Sequence, residues 1–179
     1  MKFRIIISVI TLTFLVYTKV YAQYSEALEN KKGFNKFVLE TPFKNYQNDL
    51  ILNLTGFDGV KYYKYVKTDI KVVFGVEIKE IKLGFFENML YTISIEFGAI
   101  EDFKIQQLDR NLVDIFGMPL SVDPNYFSEA KYQSNRVWKG QTVWLQRDTY
   151  SCDDVIAPCT TSIFLVSLRL RQLIKDKSF

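Results

Sequence analysis

Residues 76–97 read VEIKEIKLGFFENMLYTISIEF and carry the strongest structural pattern in this chain. Apolar side chains alternate with polar or small ones in two runs separated by Glu87-Asn88, a pattern typical of two strands joined by a tight turn. The alternating apolar positions are Ile81, Leu83, Phe85, Tyr91, Ile93, Ile95 and Phe97. Val76 and Ile78 are out of phase with Ile81, so we expect a bulge or bend at Lys79-Glu80. The stretch predicts an antiparallel hairpin.

Residues 101–117 predict a helix directly after this hairpin. Glu101 and Asp102 suit the positive end of the helix dipole, and Gly117 followed by Pro119 is typical of a helix end. The apolar residues at helical spacing are Phe103, Leu108, Leu112, Ile115 and Phe116. These residues share one face of the predicted helix.

Weaker patterns predict the elements on either side. Thr41-Pro42 resembles a helix start and predicts a short helix through residue 50. We expect a strand at residues 61–66, a hairpin around Lys139-Gly140, and a long strand through residues 164–170, where apolar side chains alternate. Residues 23–32 are polar and are interpreted as a lead-in that belongs to no element.

The order of these elements is helix, about three strands, helix, about three strands. It predicts an α+β protein with an antiparallel sheet or sheets and two helices. The order also suggests an αβββ-αβββ duplication with halves at residues 33–98 and 99–174. The two halves show no similarity residue by residue, so the duplication is a hypothesis from element order alone.

The first 22 residues predict a signal peptide. Lys2 and Arg4 precede an uncharged apolar run over residues 5–17, which is shorter than the roughly 20 residues of a membrane-spanning helix. Small residues at Val20 and Ala22 predict cleavage after Ala22. The alternative is an uncleaved membrane anchor. We therefore expect residues 23–179 to form a single exported α+β domain, periplasmic or extracellular, with no transmembrane segment after cleavage.

The charge balance disfavours a nucleic-acid partner. The chain has 23 lysines and arginines against 20 acids, but three of the cations, Lys2, Arg4 and Lys19, lie in the predicted signal peptide. Residues 23–179 are therefore neutral overall, and their positive and negative side chains are interspersed. Binding to phosphate backbones depends on clustered cations, so the basic balance of the whole chain predicts no such function.

Cys152 and Cys159 are the only cysteines. An even count in an exported chain predicts a disulfide, and the short loop between them contains the turn-forming residues Asp153, Asp154 and Pro158. The alternatives are a metal pair or a redox pair. A zinc site needs more ligands than two, and catalytic dithiols usually have two residues between them, so we interpret the pair as structural.

The absence of histidine excludes several kinds of catalytic site. Serine and cysteine triads and the common catalytic zinc sites depend on an imidazole, and no glycine-rich phosphate loop occurs, so we expect no cofactor.

Ser128 and Lys131 match S-x-x-K, but its companion motifs are missing. Asp153-Asp154 is interpreted as a turn and not as a calcium site. A carboxylate pair remains open, with candidate acids Glu77, Glu80, Glu87, Glu96, Glu101 and Asp102.

Aromatic residues provide the candidate ligand surface. In a strand, Tyr63 and Tyr65 lie on one face, while Tyr62 and Val66 lie on the other. Tyr63 and Tyr65 are either core residues, which the composition of β-sheets favours, or a platform for a glycan or peptide. Trp138 and Trp144 present the same alternatives, with core again favoured.

These observations predict an exported soluble binding protein. Its bias toward Lys, Asn, Ile and Phe resembles AT-rich bacterial sequence and favours a bacterial envelope. The candidate roles are an envelope-associated, inhibitor or immunity-type factor with a protein or glycan partner. The alternative is a small secreted hydrolase that uses a carboxylate pair.

Overall fold

A computed structural model describes residues 25–120, 133–150 and 160–177. The helices are α1 (Glu26–Lys31), α2 (Asp102–Phe116) and α3 (Leu168–Lys177). The strands are β1 (Gly33–Phe34), β2 (Phe37–Val38), β3 (Leu50–Thr55), β4 (Lys61–Tyr65), β5 (Val72–Val73), β6 (Val76–Glu77), β7 (Glu80–Phe86), β8 (Met89–Ala99), β9 (Gln133–Lys139), β10 (Val143–Tyr150) and β11 (Thr160–Ser167). The α+β class predicted from the sequence is confirmed.

Over the described residues, the main sheet has seven strands in the order β3-β4-β7-β8-β11-β10-β9, each antiparallel to its neighbours. Two smaller hairpins, β1–β2 and β5–β6, lie outside it. The two halves of the chain meet where β8 pairs with β11. This arrangement does not confirm the duplication of halves.

The central hairpin β7–β8 forms as predicted. Glu87 and Asn88 both have positive φ, at 48° and 62°, the backbone that a two-residue turn between right-twisted strands requires. The expected bend is present, since β6 ends at Glu77 and β7 begins at Glu80. Gly84 is required in β7 because a Cβ atom there would lie 2.6 Å from Cγ2 of Thr92. β7 and β8 are the third and fourth of the seven strands in the main sheet, so the hairpin lies at the centre of the sheet.

One face of the main sheet carries the core. Leu83, Ile93 and Leu165 lie on this inner face and are buried with Leu108 and Leu112 of α2. The last turn of α2 is held by Trp138, whose Nε1 donates to the carbonyl oxygen of Gly117 at 2.7 Å. Gly117 has a φ of 80°, which explains why a glycine ends this helix. α2 thus covers the inner face with Leu108, Leu112 and Phe116, whereas Phe103 of the same predicted stripe is 57% exposed.

Two expectations at the ends of the described chain are wrong. Residues 23–32 are not a structureless lead-in, because Ser25 caps α1 by accepting a hydrogen bond from the Leu28 amide, and Leu28 is buried. The strand predicted through residue 170 ends at Ser167. The Ser167 hydroxyl accepts from the Leu170 amide, so the alternating residues after it form the first turn of α3.

The helix predicted after Thr41-Pro42 is also wrong. Residues Phe43–Asn45 and Gln47–Asp49 form two short 3-10 turns, and Leu50 already begins β3. Leu50 pairs with Tyr65, and Pro42 forms a bridge with Met89. These two pairings fix both ends of the segment, and the residues between them connect the bridge to β3 by two 3-10 turns.

Several predictions lie outside the described residues. These are the signal peptide over residues 1–22, the disulfide between Cys152 and Cys159, the Asp153-Asp154 turn, and the Ser128 and Lys131 motif. Among the helices that are described, none is long and apolar enough to cross a membrane.

Candidate functional site

The second face of the main sheet, the outer face, is only partly covered. α3 packs against one end of it, where Ile174 is buried with Val60 and Phe86, and Tyr62 and Tyr91 flank this small cluster. Beside α3 the outer face forms a groove of about 310 Å³. We call it the outer groove, and it is lined by Tyr91, Trp144, Gln146, Asp148, Phe164, Val166 and Arg171.

The alternation of β10 places three polar or aromatic side chains in the outer groove. Leu145 and Arg147 point into the protein and are buried, so Trp144, Gln146 and Asp148 point to the outer face. Phe164 and Val166 on the neighbouring β11 lie on the same side and are half-buried. The apolar side chains of Phe164 and Val166 therefore lie beside the polar groups of Gln146 and Asp148 in the outer groove.

Hydrogen bonds hold the polar row in one arrangement. Nε1 of Trp144 donates to Oε1 of Gln146 at 3.2 Å, and Nε2 of Gln146 donates to both oxygens of Asp148 at 2.8 and 2.9 Å. Asp148 is only 4% exposed. Desolvation raises its pKa above the usual value, although the bonds from Gln146 and the charge of Arg147 oppose the rise.

Asn135 extends the row onto β9. It pairs directly with Asp148 across the two strands, so the two side chains lie on the same face. The Asn135 Oδ1 atom is buried and has no hydrogen-bond partner among the described residues. An unsatisfied buried acceptor costs free energy, and Asn135 is not among the residues that line the outer groove.

Arg171 on α3 forms the rim. Its guanidinium carbon lies 5.9 Å from the centre of the Trp144 ring, a cation–π distance. The side chain is exposed, and no ion pair joins it to a carboxylate in the described part of the chain. A cation with aromatic support is therefore available to a ligand at the open side of the groove.

The acids of the predicted carboxylate cluster are arranged differently. Glu80 and Glu96 are opposite each other on β7 and β8, but Lys82 lies between them at 3.0 and 2.6 Å. Lys64 also binds Glu80, at 2.6 Å, and its hydrogen bond is the main cause that lowers the pKa of that carboxyl. A general acid in a glycosidase has a raised pKa, so this pair has the opposite electrostatics.

The structure places both candidate tyrosines on the inner face. Tyr65 is only 6% exposed and packs edge-on against Phe37. Tyr63 is half-buried between Phe43 and Phe85. These contacts are those of core residues, the alternative that the sequence favoured. A ligand role for Tyr63 and Tyr65 stays a prediction, with only part of Tyr63 accessible.

The two tryptophans separate in the structure. Trp138 is buried, as the core interpretation expected, whereas Trp144 lines the outer groove. The sequence contained a signal for this difference, because Trp144 alternates with Gln146 and Asp148 along one strand. Such a row of polar partners around an aromatic side chain is typical of an accessible face and not of a core.

Comparisons with known proteins add no assignment. The chain matches no protein-family model, no curated protein and no solved structure. In the described ranges, no group of three or more acidic or cysteine side chains is placed to hold a metal ion.

Proposed function

We propose that the protein is an exported binding protein and that it binds its ligand in the outer groove. The observation that carries this proposal is the fixed row of Trp144, Gln146 and Asp148 beside half-buried apolar side chains. Binding sites combine an apolar surface with a few fixed polar groups in this way. The signal peptide predicted from residues 1–22 supports export, to the bacterial envelope or beyond it.

The chemistry of the groove describes the ligand. Trp144 and Phe164 favour a ligand with an apolar face, while Asp148 accepts hydrogen bonds from its hydroxyl or amide groups. Arg171 favours an anionic or strongly polar group at the open side. Envelope glycans and exposed protein loops carry such groups, in agreement with a role as an envelope-associated, inhibitor or immunity-type factor.

A ligand screen by tryptophan fluorescence tests the proposal directly. The chain has two tryptophans, and only Trp144 lines the groove, so Trp138→Phe leaves a single reporter there. We expect an envelope glycan fragment or a partner protein to change this emission on binding. The Trp138→Phe protein must first be shown to remain folded, because Trp138 is buried and bonded to Gly117.

We expect Trp144→Ala to weaken binding of the identified ligand by at least about tenfold, as loss of an aromatic anchor does. Gln146→Ala should weaken it by a similar amount, because Asp148 and Trp144 lose the amide that positions them. Isothermal titration measures both. Phe103→Ala is the matched control, since Phe103 is an exposed aromatic on α2. Equal affinities for all three variants would reject the outer groove as the binding site.

The exported form is tested by intact mass. Recovered from the cell envelope, the protein should lack residues 1–22, and alkylation without reductant should add no mass if Cys152 and Cys159 are bonded. A full-length, membrane-bound species would contradict the signal peptide. Two alkylated cysteines after oxidising purification would contradict the disulfide.

A further inference from the structure

β3 forms one edge of the main sheet, and three of its five exposed side chains are apolar. The strand reads LILNLT and contains no charged residue. Ile51, Leu52 and Leu54 are each about half exposed or more, and Phe57 in the following turn is fully exposed. Val66, whose amide donates to Asp49 just before β3, is exposed as well.

Such an edge is unusual in a protein that remains alone. Natural sheets protect edge strands with charges, prolines or a covering segment, because unpaired backbone groups attract another strand. β3 has neither a charge nor a proline, and the edge protection it does show is an irregularity in its pairing with β4 between Leu52 and Leu54. The other edge, β9, is different, since Leu120 already bridges to Val137 there. The exposed strand therefore indicates that something pairs with β3.

The points at which the described chain stops and resumes lie away from β3. The gaps after Leu120 and after Tyr150 begin and end on β9, β10 and β11, in the half of the sheet far from β3. Ser25, where the described chain starts, is bonded to Lys139 at the end of β9. These junctions favour an occupant from a second molecule.

From these observations we propose that the occupant is a second copy of this chain. Two β3 strands pair antiparallel about a two-fold axis, which continues the sheet from one copy into the other. An uncharged strand meets no like charge when it pairs with itself. The antiparallel direction also separates the two Asp49 carboxylates, each of which is already bonded to Lys67 at 2.6 Å. A closed dimer of this kind is isologous and leaves no further free β3 edge.

The exposed patch is smaller than one side of a standard interface. The exposed side chains of Ile51, Leu52, Leu54, Phe57 and Val66 present at most on the order of 600 Å² per copy, compared with the roughly 800 Å² that each partner contributes to a standard interface. Leu52 lies on the inner face, and Ile51 and Leu54 lie on the outer face, so backbone hydrogen bonds between the two strands supply part of the affinity. The outer groove lies mainly on β10 and β11, so dimerisation and ligand binding use separate surfaces.

Sedimentation equilibrium of the purified protein, from micromolar to near-millimolar concentration, tests the proposal. We expect a monomer–dimer equilibrium whose dissociation constant rises at least tenfold in the Leu52→Lys, Leu54→Lys double variant. Val72→Lys is the matched control, because Val72 and Leu52 are both 54% exposed and Val72 lies on the separate β5–β6 hairpin. The substituted side chains are exposed, so thermal melting should show that all variants fold.

Hydrogen exchange identifies the surface. In the concentrated wild-type protein, amides of residues 50–55 should exchange at least tenfold more slowly than in the double variant, because a second strand protects them. A wild-type protein that stays monomeric at every concentration overturns the proposal. So does a dimer that the double variant leaves intact, or a β3 that is protected only when a different protein is added.

Discussion

Asp109→Asn is expected to lower the free energy of unfolding by about 3 kcal/mol, at the lower end of the range for breaking a buried ion pair. Asp109 on α2 accepts two hydrogen bonds from Arg147, from Nε at 3.0 Å and from Nη2 at 2.9 Å. Arg147 is only 1% exposed. Burial acts to lower the pKa of its guanidinium, and Asp109 is the principal group that opposes this.

The size of the effect follows from the position of the pair. Arg147 points from β10 toward α2, and its Nη1 donates to Thr149, which in turn contacts Thr161. An asparagine keeps the shape of Asp109 but removes its charge and one acceptor. The guanidinium keeps its bond to Thr149 but loses the main charge that compensates its own, since the charge of Asp148 contributes less. α2 and the sheet are therefore less firmly joined.

Chemical denaturation measures this prediction, with Arg136→Gln as the control. Arg136 binds the same carboxylate at 2.8 Å, but its side chain is 46% exposed, so its loss should cost less than about 1 kcal/mol. Asp114→Asn, an exposed change on the same helix, should cost still less. If Asp109→Asn costs no more than Arg136→Gln, the buried pair does not join α2 to the sheet.

The sequence predicted the parts of the fold that short-range patterns control. The alternation around Glu87-Asn88 and the apolar stripe of residues 103–116 each required one face to be buried, and the structure has both elements. The errors occurred where pairing or capping overrides local preference. Leu50 fits a helical spacing, but its pairing with Tyr65 places it in β3. Ser167 sits in an alternating run, but its hydroxyl caps α3.

The candidate site was less accessible to sequence reasoning. Tyr63 and Tyr65 formed the candidate ligand surface because tyrosines cluster at residues 62–65. Which face of that strand is buried depends on where α1, α2 and the small hairpins pack, and the local sequence does not contain this information. The outer groove brings together residues from β8, β10, β11 and α3, which are far apart in the chain. No short-range pattern predicts that Arg171 lies over Trp144.

A second large effect is expected from pH, through Glu29. The Glu29 carboxylate accepts hydrogen bonds from the amide and the hydroxyl of Thr142 and pairs with Lys32 at 3.0 Å. Desolvation acts to raise the pKa of Glu29, but the bonds from Thr142 and Lys32 outweigh it and lower the pKa from 4.5 to about 2. These contacts join α1 to the turn between β9 and β10.

The sign of the pH dependence follows from this shift. Because the carboxyl binds a proton more weakly in the folded protein, its contribution is fully present above about pH 4.5 and is lost as pH falls through about 2. One pKa unit corresponds to about 1.4 kcal/mol, so the fall of the pKa from 4.5 to about 2 corresponds to roughly 3.5 kcal/mol. The Glu29 side chain is 21% exposed, and screening by solvent reduces the contribution to on the order of 2–3 kcal/mol. Stability should therefore fall between pH 5 and pH 2.

Glu29→Gln isolates this contribution. The variant should be less stable than wild type by about 2 kcal/mol at pH 7, and the difference should disappear as pH falls through about 2, because the wild-type carboxyl then becomes protonated too. Hydrogen bonds from Lys36 and Tyr65 likewise lower the pKa of Asp69 to about 2, but Asp69 is present in both proteins, so its effect cancels in the difference.

Glu26→Gln, an exposed change on α1, is the control. Urea denaturation at several pH values measures each stability, and a difference that stays constant with pH would show that the Thr142 contacts do not depend on the charge of Glu29.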